Sequence, residues 1–131
     1  MSHIVVADLI WLHRFAQHQE LSKLSQSLTR LQNPTSLRQR VADSLLEPQA
    51  LRTRIDAVII ELATLVTDKQ LAESIRYSNT AGEKQGKNFG LLLLHFFNHQ
   101  THHRGQASTL LFQAGIDIGV TDLNALITSE A

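Results

Sequence analysis

Phe89, Leu92, Leu93, Phe96, Ala107, Leu110, Leu111 and Ala114 fall on one broad arc when each residue of a helix advances about 100°. That recurrence commits the segment from about Asn88 to Ala114 to one long helix, and Gly115 is placed to end it in the left-handed conformation. A second run, Leu51, Ile55, Val58, Ile59, Leu62, Leu65 and Val66, predicts a helix from 48 to about 67, with Pro48 where a first turn tolerates proline. A third helix runs from His3 to about Gln17, with Val6, Ile10 and Phe15 near one side and Trp11 beside them. Helices with one apolar face bury it against each other, so the expected fold class is an all-α bundle.

The remaining segments read as connections. Residues 19–35 are polar with weak helical spacing and end at Asn33-Pro34, so they form a link with at most a helical turn. A short helix is expected at about 36–46. In 71–87, Ile75 and Tyr77 alternate with polar neighbours while Asn79, Gly82 and Gly86 punctuate, which predicts a loop or small hairpin. Thr121 is placed to cap a last short helix, "DLNALI". The 131 residues, 43% of them hydrophobic, suit one domain spanning 1–131.

Charge and cysteine content narrow the function classes. Twelve basic and twelve acidic residues cancel, which argues against nucleic-acid binding by phosphate neutralisation. With no cysteine there is neither a disulfide nor a thiolate ligand, which fits a reducing cytoplasm. Apolar stretches such as "GLLLL" at 90–94 are too short to span a bilayer. "MSHIVVADLIWLH" lacks a basic start and carries Asp8 where a signal peptide is apolar. The expected location is the cytoplasm, without a membrane partner.

The chemistry concentrates in "HFFNHQTHHRGQ", residues 95–106. His103 falls inside the apolar arc of the long helix and His99 at its edge, whereas His95 and His102 fall outside it. An i,i+4 pair of imidazoles stacks on one helical face and can reach one divalent metal ion. One helix supplies two such ligands, so a third must come from elsewhere. His3 shares a side with Val6 and Ile10 and is the candidate, while His13 and His18 are expected at the surface. The plainer alternatives are a hydrogen-bonded pair for His99 and His103, a solvated face for His95 and His102, and a frayed terminus for His3. "HQTHH" has the spacing of a zinc-protease motif, but Gln100 stands in place of the glutamate base, so that chemistry is set aside.

"LLLLHFFNHQTHHRGQASTLLFQAGIDIGVTDLNALI" (91–127) resembles the C-terminal signature of the DinB (damage-inducible) family, related to the YfiT-like metal-dependent bundles. "HIVVADLIWLHRF" (3–15) resembles that family's second helix and "RYSNTAGE" (76–83) its connecting hairpin. The resemblance implies a four-helix bundle with a small hairpin or loop insertion, here shortened at its N-terminus by the family's first helix. It also implies a divalent metal held by three histidines, which map onto His3, His99 and His103. Zinc or nickel leads the candidate ions, followed by iron or copper.

A three-histidine ion with an open position fits a metal-dependent enzyme: the resemblance implies thiol transfer to a small electrophile, and hydrolysis by a metal-bound hydroxide is the other chemistry such a site allows. The partners so implied are a low-molecular-weight thiol and a small electrophile. Gln106 and Asp8 are candidates to contact the ligand rings. Arg104 is expected at the surface or an interface, and Gly105 at a close approach of another helix or simply as a tolerated small residue. No side chain is singled out as catalytic. The apolar seam left by the absent helix predicts a homodimer, or else poor behaviour in solution. Two further classes stay open: a metal- or ligand-binding bundle without turnover, and a structural homo-oligomer whose histidines only hydrogen-bond.

Overall fold

Phe15 and His3 mark the two ends of helix α1 (Ser2–Phe15), and each meets a different end of the long helix α5 (Phe89–Gln113). The Phe15 ring lies 5.3 Å from Phe89 at the start of α5, while the His3 ring lies 4.8 Å from His103 far along it. The two helices are therefore antiparallel. The structure is a computed structural model that describes residues 2–39 and 46–129.

Between them come α2 (Ser22–Leu28), entered through a 3₁₀ turn at Gln19–Leu21, then α3 (Leu46–Leu65) and α4 (Asp68–Ala72). An antiparallel hairpin, β1 (Ser74–Ser78) and β2 (Lys84–Asn88), pairs Ser74 with Asn88 and Tyr77 with Gln85. The fold is thus an all-α bundle with a small two-stranded insertion. Its core joins Leu9, Leu12 and Phe15 of α1 to Leu24 and Leu28 of α2, Ile55 and Leu62 of α3, and Phe89 and Phe96 of α5. Alternation along β1 buries Ile75 and Tyr77 and exposes their neighbours, so the hairpin contributes one face to the same core.

Local chemistry sets the boundaries. The helix expected to reach about 67 stops at Leu65, because Thr67 opens α4 with a reciprocal cap. Gln70 Oε1 accepts from the Thr67 backbone N–H at 2.8 Å, while Thr67 Oγ1 accepts from the Gln70 N–H. In the hairpin turn, Asn79 Oδ1 accepts from the N–H groups of Ala81 and Glu83, and Gly82 takes φ +82°. Asn88 caps α5 by accepting from the Leu91 N–H at 2.9 Å. Gly115, at φ +76°, ends that helix: its N–H reaches the Phe112 carbonyl, and the Ile116 N–H reaches that of Leu111.

Four expectations need correction. Residues 19–35 hold more than a link, since Leu21, Leu24, Leu28 and Leu31 are all core residues. The stretch 36–39 is a turn rather than helix, closed by the Ser36 hydroxyl accepting from the Arg38 N–H and Gln39 Oε1 accepting from the Thr35 N–H. The rest of that expected helix, 40–45, lies outside the described residues. The last short helix is a 3₁₀ turn, Leu123–Leu126, capped by Asp122 and not by Thr121. Finally, the apolar arc of α5 is buried only in its first half: Leu110 is 66% exposed and Leu111 38%. Beyond His103, Ala107 is half-buried while the larger Leu110, Leu111 and Phe112 are exposed.

Candidate metal centre

The antiparallel pairing of α1 and α5 brings His3, in the first turn of α1, against His99 and His103, one turn apart on α5. Each imidazole offers one nitrogen, and the three nitrogens lie within 4.8 Å of one another. Ring centroids are 5.4 Å apart for His3 and His99 and 4.5 Å for His99 and His103. His99 and His103 are half-buried, whereas His3 sits at the exposed rim instead of facing inward as its helical side had implied.

The donor set matches a borderline-soft divalent ion. A tetrahedral zinc with bonds of about 2.0–2.1 Å holds its ligand atoms about 3.3 Å apart. His99 Nε2 and His103 Nε2 are 3.2 Å apart. His103 Nδ1 lies 2.8 Å from Gln106 Oε1, and since that oxygen only accepts, Nδ1 carries the ring proton. Nε2 of His103 is then the bare nitrogen, with its lone pair directed into the cluster. Without an ion the same lone pair accepts a hydrogen bond from His99 Nε2–H. Burial, followed by the neighbouring His103, His3, His95 and His102 rings, lowers the His99 pKa and so favours the neutral imidazole, the form a metal ion needs.

Gln106 therefore contacts a ring of the cluster, as its helical position allowed. Asp8 does not: it is 1% exposed and its carboxylate is paired with Arg52 of α3. Arg52 also binds Asp56, and the Gln100 side chain of α5 stands close enough to act on the same carboxyl. Burial raises the Asp8 pKa, opposed by Arg52 and Gln100. Asp8 thus ties α1 to α3, because α3 supplies a cation on its inner side.

The other histidines differ among themselves. His102 is exposed, as expected. His95 is exposed too, yet its ring stands edge-on to Trp11 at 5.4 Å. His13 gives a ring nitrogen to the Gln32 carbonyl at 3.1 Å. His18, expected at the surface, has only 11% of its side chain exposed: it pairs with Glu73 at 3.0 Å and stacks on Phe89. Arg104 is at the surface, bonded to Thr101. A Cβ added at Gly105 would meet open space, so no close helix approach depends on that glycine.

A cavity of about 340 Å³ opens beside the cluster, bordered by His3, His99, Trp11, Arg14 and Tyr77. Arg14 was overlooked in the sequence. The signal that finds it is register: eleven residues after His3, it returns to within about 20° of the same helical stripe.

The family model described as the DinB family matches residues 1–130. Comparison with curated proteins gives no match, and comparison with solved structures gives none either. Family and cluster together are compatible with metal binding. Among the described residues no helix is long and apolar enough to cross a membrane.

Proposed function

Since the chain belongs to the DinB family, we propose that His3, His99 and His103 hold one divalent metal ion with an open position, in a metal-dependent enzyme of the thiol-transferase or hydrolase type. The observation that carries this reading is the gathering of three imidazole nitrogens within 4.8 Å from two separate helices. Imidazole ligands put zinc and nickel first, with iron and copper after them. When bound, such an ion supplies Lewis acidity, lowering the pKa of a thiol or water in the open position and stabilising its anion.

The chain's own residues do the rest. Gln106 holds the His103 ring in the tautomer that frees Nε2. Trp11, Tyr77 and Leu37 give the adjoining cavity an apolar wall that keeps water from a small electrophile, and Asn79 and Thr80 offer polar contacts at its edge. A low-molecular-weight thiol and a small electrophile are the partners this geometry suits.

A second reading, a binding bundle without turnover, is favoured by one observation: the 3.2 Å contact between His99 and His103 is a satisfactory hydrogen bond by itself. We place the protein in the cytoplasm, in keeping with a cysteine-free chain. A homodimer also belongs to the proposal, because the far end of α5 and the tail after it expose Leu110, Phe112, Val120 and Leu126, apolar surface that a second copy would cover.

The test is elemental analysis of untagged protein, wild type beside His99→Ala, followed by thiol turnover with a panel of electrophiles. Near-stoichiometric metal in the wild type, lost in the variant, is the expected outcome, with thiol consumed only by the loaded wild type. Metal absent from both after zinc or nickel is added back would end the metal reading. Metal bound without turnover would leave the binding bundle.

A further inference from the structure

We propose that Arg14 is an anion-binding group, and that the cavity beside the histidines takes an elongated small organic molecule with a carboxylate at one end and a metal-seeking group at the other.

Arg14 stands where two cavities meet. The one of about 340 Å³ reaches His3 and His99, and a neighbour of about 360 Å³ shares Ile10, Arg14, Asn79 and Thr80 with it. Among the described residues lining either cavity there is no Asp, Glu or Lys. Arg14 is the one charged group in both walls. It is half-buried, and among the described residues its guanidinium makes no hydrogen bond and no ion pair. An arginine does not lose its proton in such a place, so a fixed positive charge faces the cavity. Burial lowers its pKa, which is the cost of holding that charge without an anion beside it.

What Arg14 does contact prepares it for a ligand. The guanidinium carbon lies 4.7 Å from the centre of the Trp11 ring and 4.8 Å from that of Tyr77. The two rings hold the guanidinium through its charge and offer no acceptor to its N–H groups, which remain available to an anion. A carboxylate is the anion whose two oxygens match that fork.

Register then sets the shape of the molecule. The backbones of His3 and Arg14 lie on one stripe of α1, about 16 Å apart along the helix axis, and the Arg14 guanidinium sits beside Trp11, about 12 Å from His3 along that axis. A molecule with its carboxylate on Arg14 and its other end among the histidines has to be extended. Only this second end rests on the metal reading; the Arg14 end does not.

The probes are mercaptohexanoate, its methyl ester, and hexanoate, titrated calorimetrically and by fluorescence of Trp11, the single tryptophan, with and without added zinc. Wild-type protein should bind mercaptohexanoate about tenfold more tightly than its uncharged methyl ester, with or without zinc, and hexanoate should bind without any help from zinc. Arg14→Gln should erase that preference, and Arg14→Lys should restore part of it by returning charge without the fork. Zinc should tighten mercaptohexanoate and its ester, which share the thiol, but not hexanoate, and His99→Ala should abolish that gain while leaving the acid-over-ester preference intact.

Equal binding of acid and ester by the wild type, or an undiminished preference in a folded Arg14→Gln variant, would overturn the proposal. The wild-type comparison holds even if that variant fails to fold. An acid preference with no effect of zinc would uphold the Arg14 site and count against the metal reading, so the two failures are distinguishable.

Discussion

His103 Nδ1 lies 2.8 Å from the side-chain oxygen of Gln106, which stands one turn further along α5. The contact fixes the ring proton on Nδ1 and leaves Nε2 bare toward His99 and His3. Removing it frees the ring to rotate and to change tautomer. Gln106→Ala should therefore weaken zinc binding by about 10- to 100-fold, the usual effect of losing a partner to a metal-bound ring. Competition with a chromophoric chelator measures it, and an unchanged affinity would mean that Gln106 does not orient the ligand.

Acid should destabilise the metal-free protein through His99. Its pKa is lowered in the fold, by burial first and by the surrounding imidazoles next, while the unfolded chain titrates near the ordinary value of about 6.5. Below that value the unfolded state binds the proton more readily than the folded one. The stability is thus fully present above about pH 6.5 and falls as the pH drops toward the folded pKa. Urea midpoints taken between about pH 7.5 and 5 should decline more for wild type than for His99→Gln, which has no proton to take up. Parallel declines would remove His99 as the cause.

Arg52→Ala should cost about 3 kcal/mol at neutral pH, because it strands the buried Asp8 carboxylate. Burial already raises the Asp8 pKa, and loss of Arg52 removes a group that opposes the rise. The folded state then protonates Asp8 before the unfolded chain does, so the deficit shrinks as the pH falls through the folded pKa. Adding Asp8→Asn to Arg52→Ala should recover much of the loss at neutral pH. Denaturant unfolding of the two variants at neutral and acid pH checks both statements, and a deficit independent of pH would contradict them.

Phe112, 79% exposed, and Leu110, 66% exposed, should hold two copies together along the end of α5. Replacing both by Ser should halve the mass seen by sedimentation equilibrium and leave zinc affinity within about twofold, since neither belongs to the histidine cluster. A wild-type protein that sediments as a monomer would remove the dimer from the proposal.

The two long helices and the hairpin were legible in the sequence because each signal is local. Leu51 to Val66 repeats at helical spacing, Ile75 and Tyr77 alternate, and Gly115 can take the positive φ that ends α5. The i,i+4 spacing of His99 and His103 is equally local, so the sequence alone determined that those two rings share a face. Burial is not local. The arc from Ala107 to Ala114 has the same apolar pattern as Phe89 to Phe96, yet Phe89, Leu92 and Phe96 are buried while Leu110 and Leu111 are exposed. Leu21, Leu24, Leu28 and Leu31 carry too few apolar neighbours to announce a core helix, and become core because α1 and α3 close over them. Tertiary structure alone decided that Asp8 would pair with Arg52 forty-four positions away instead of turning to a histidine, and that His18 would be enclosed against Glu73 and Phe89. It also decided that His3 would meet α5 at its outer rim and that Arg14 would face the same cavity. Helical periodicity says which side of its own helix a residue occupies, but what stands opposite depends on how the helices pack, and that is settled by contacts between residues far apart in the chain.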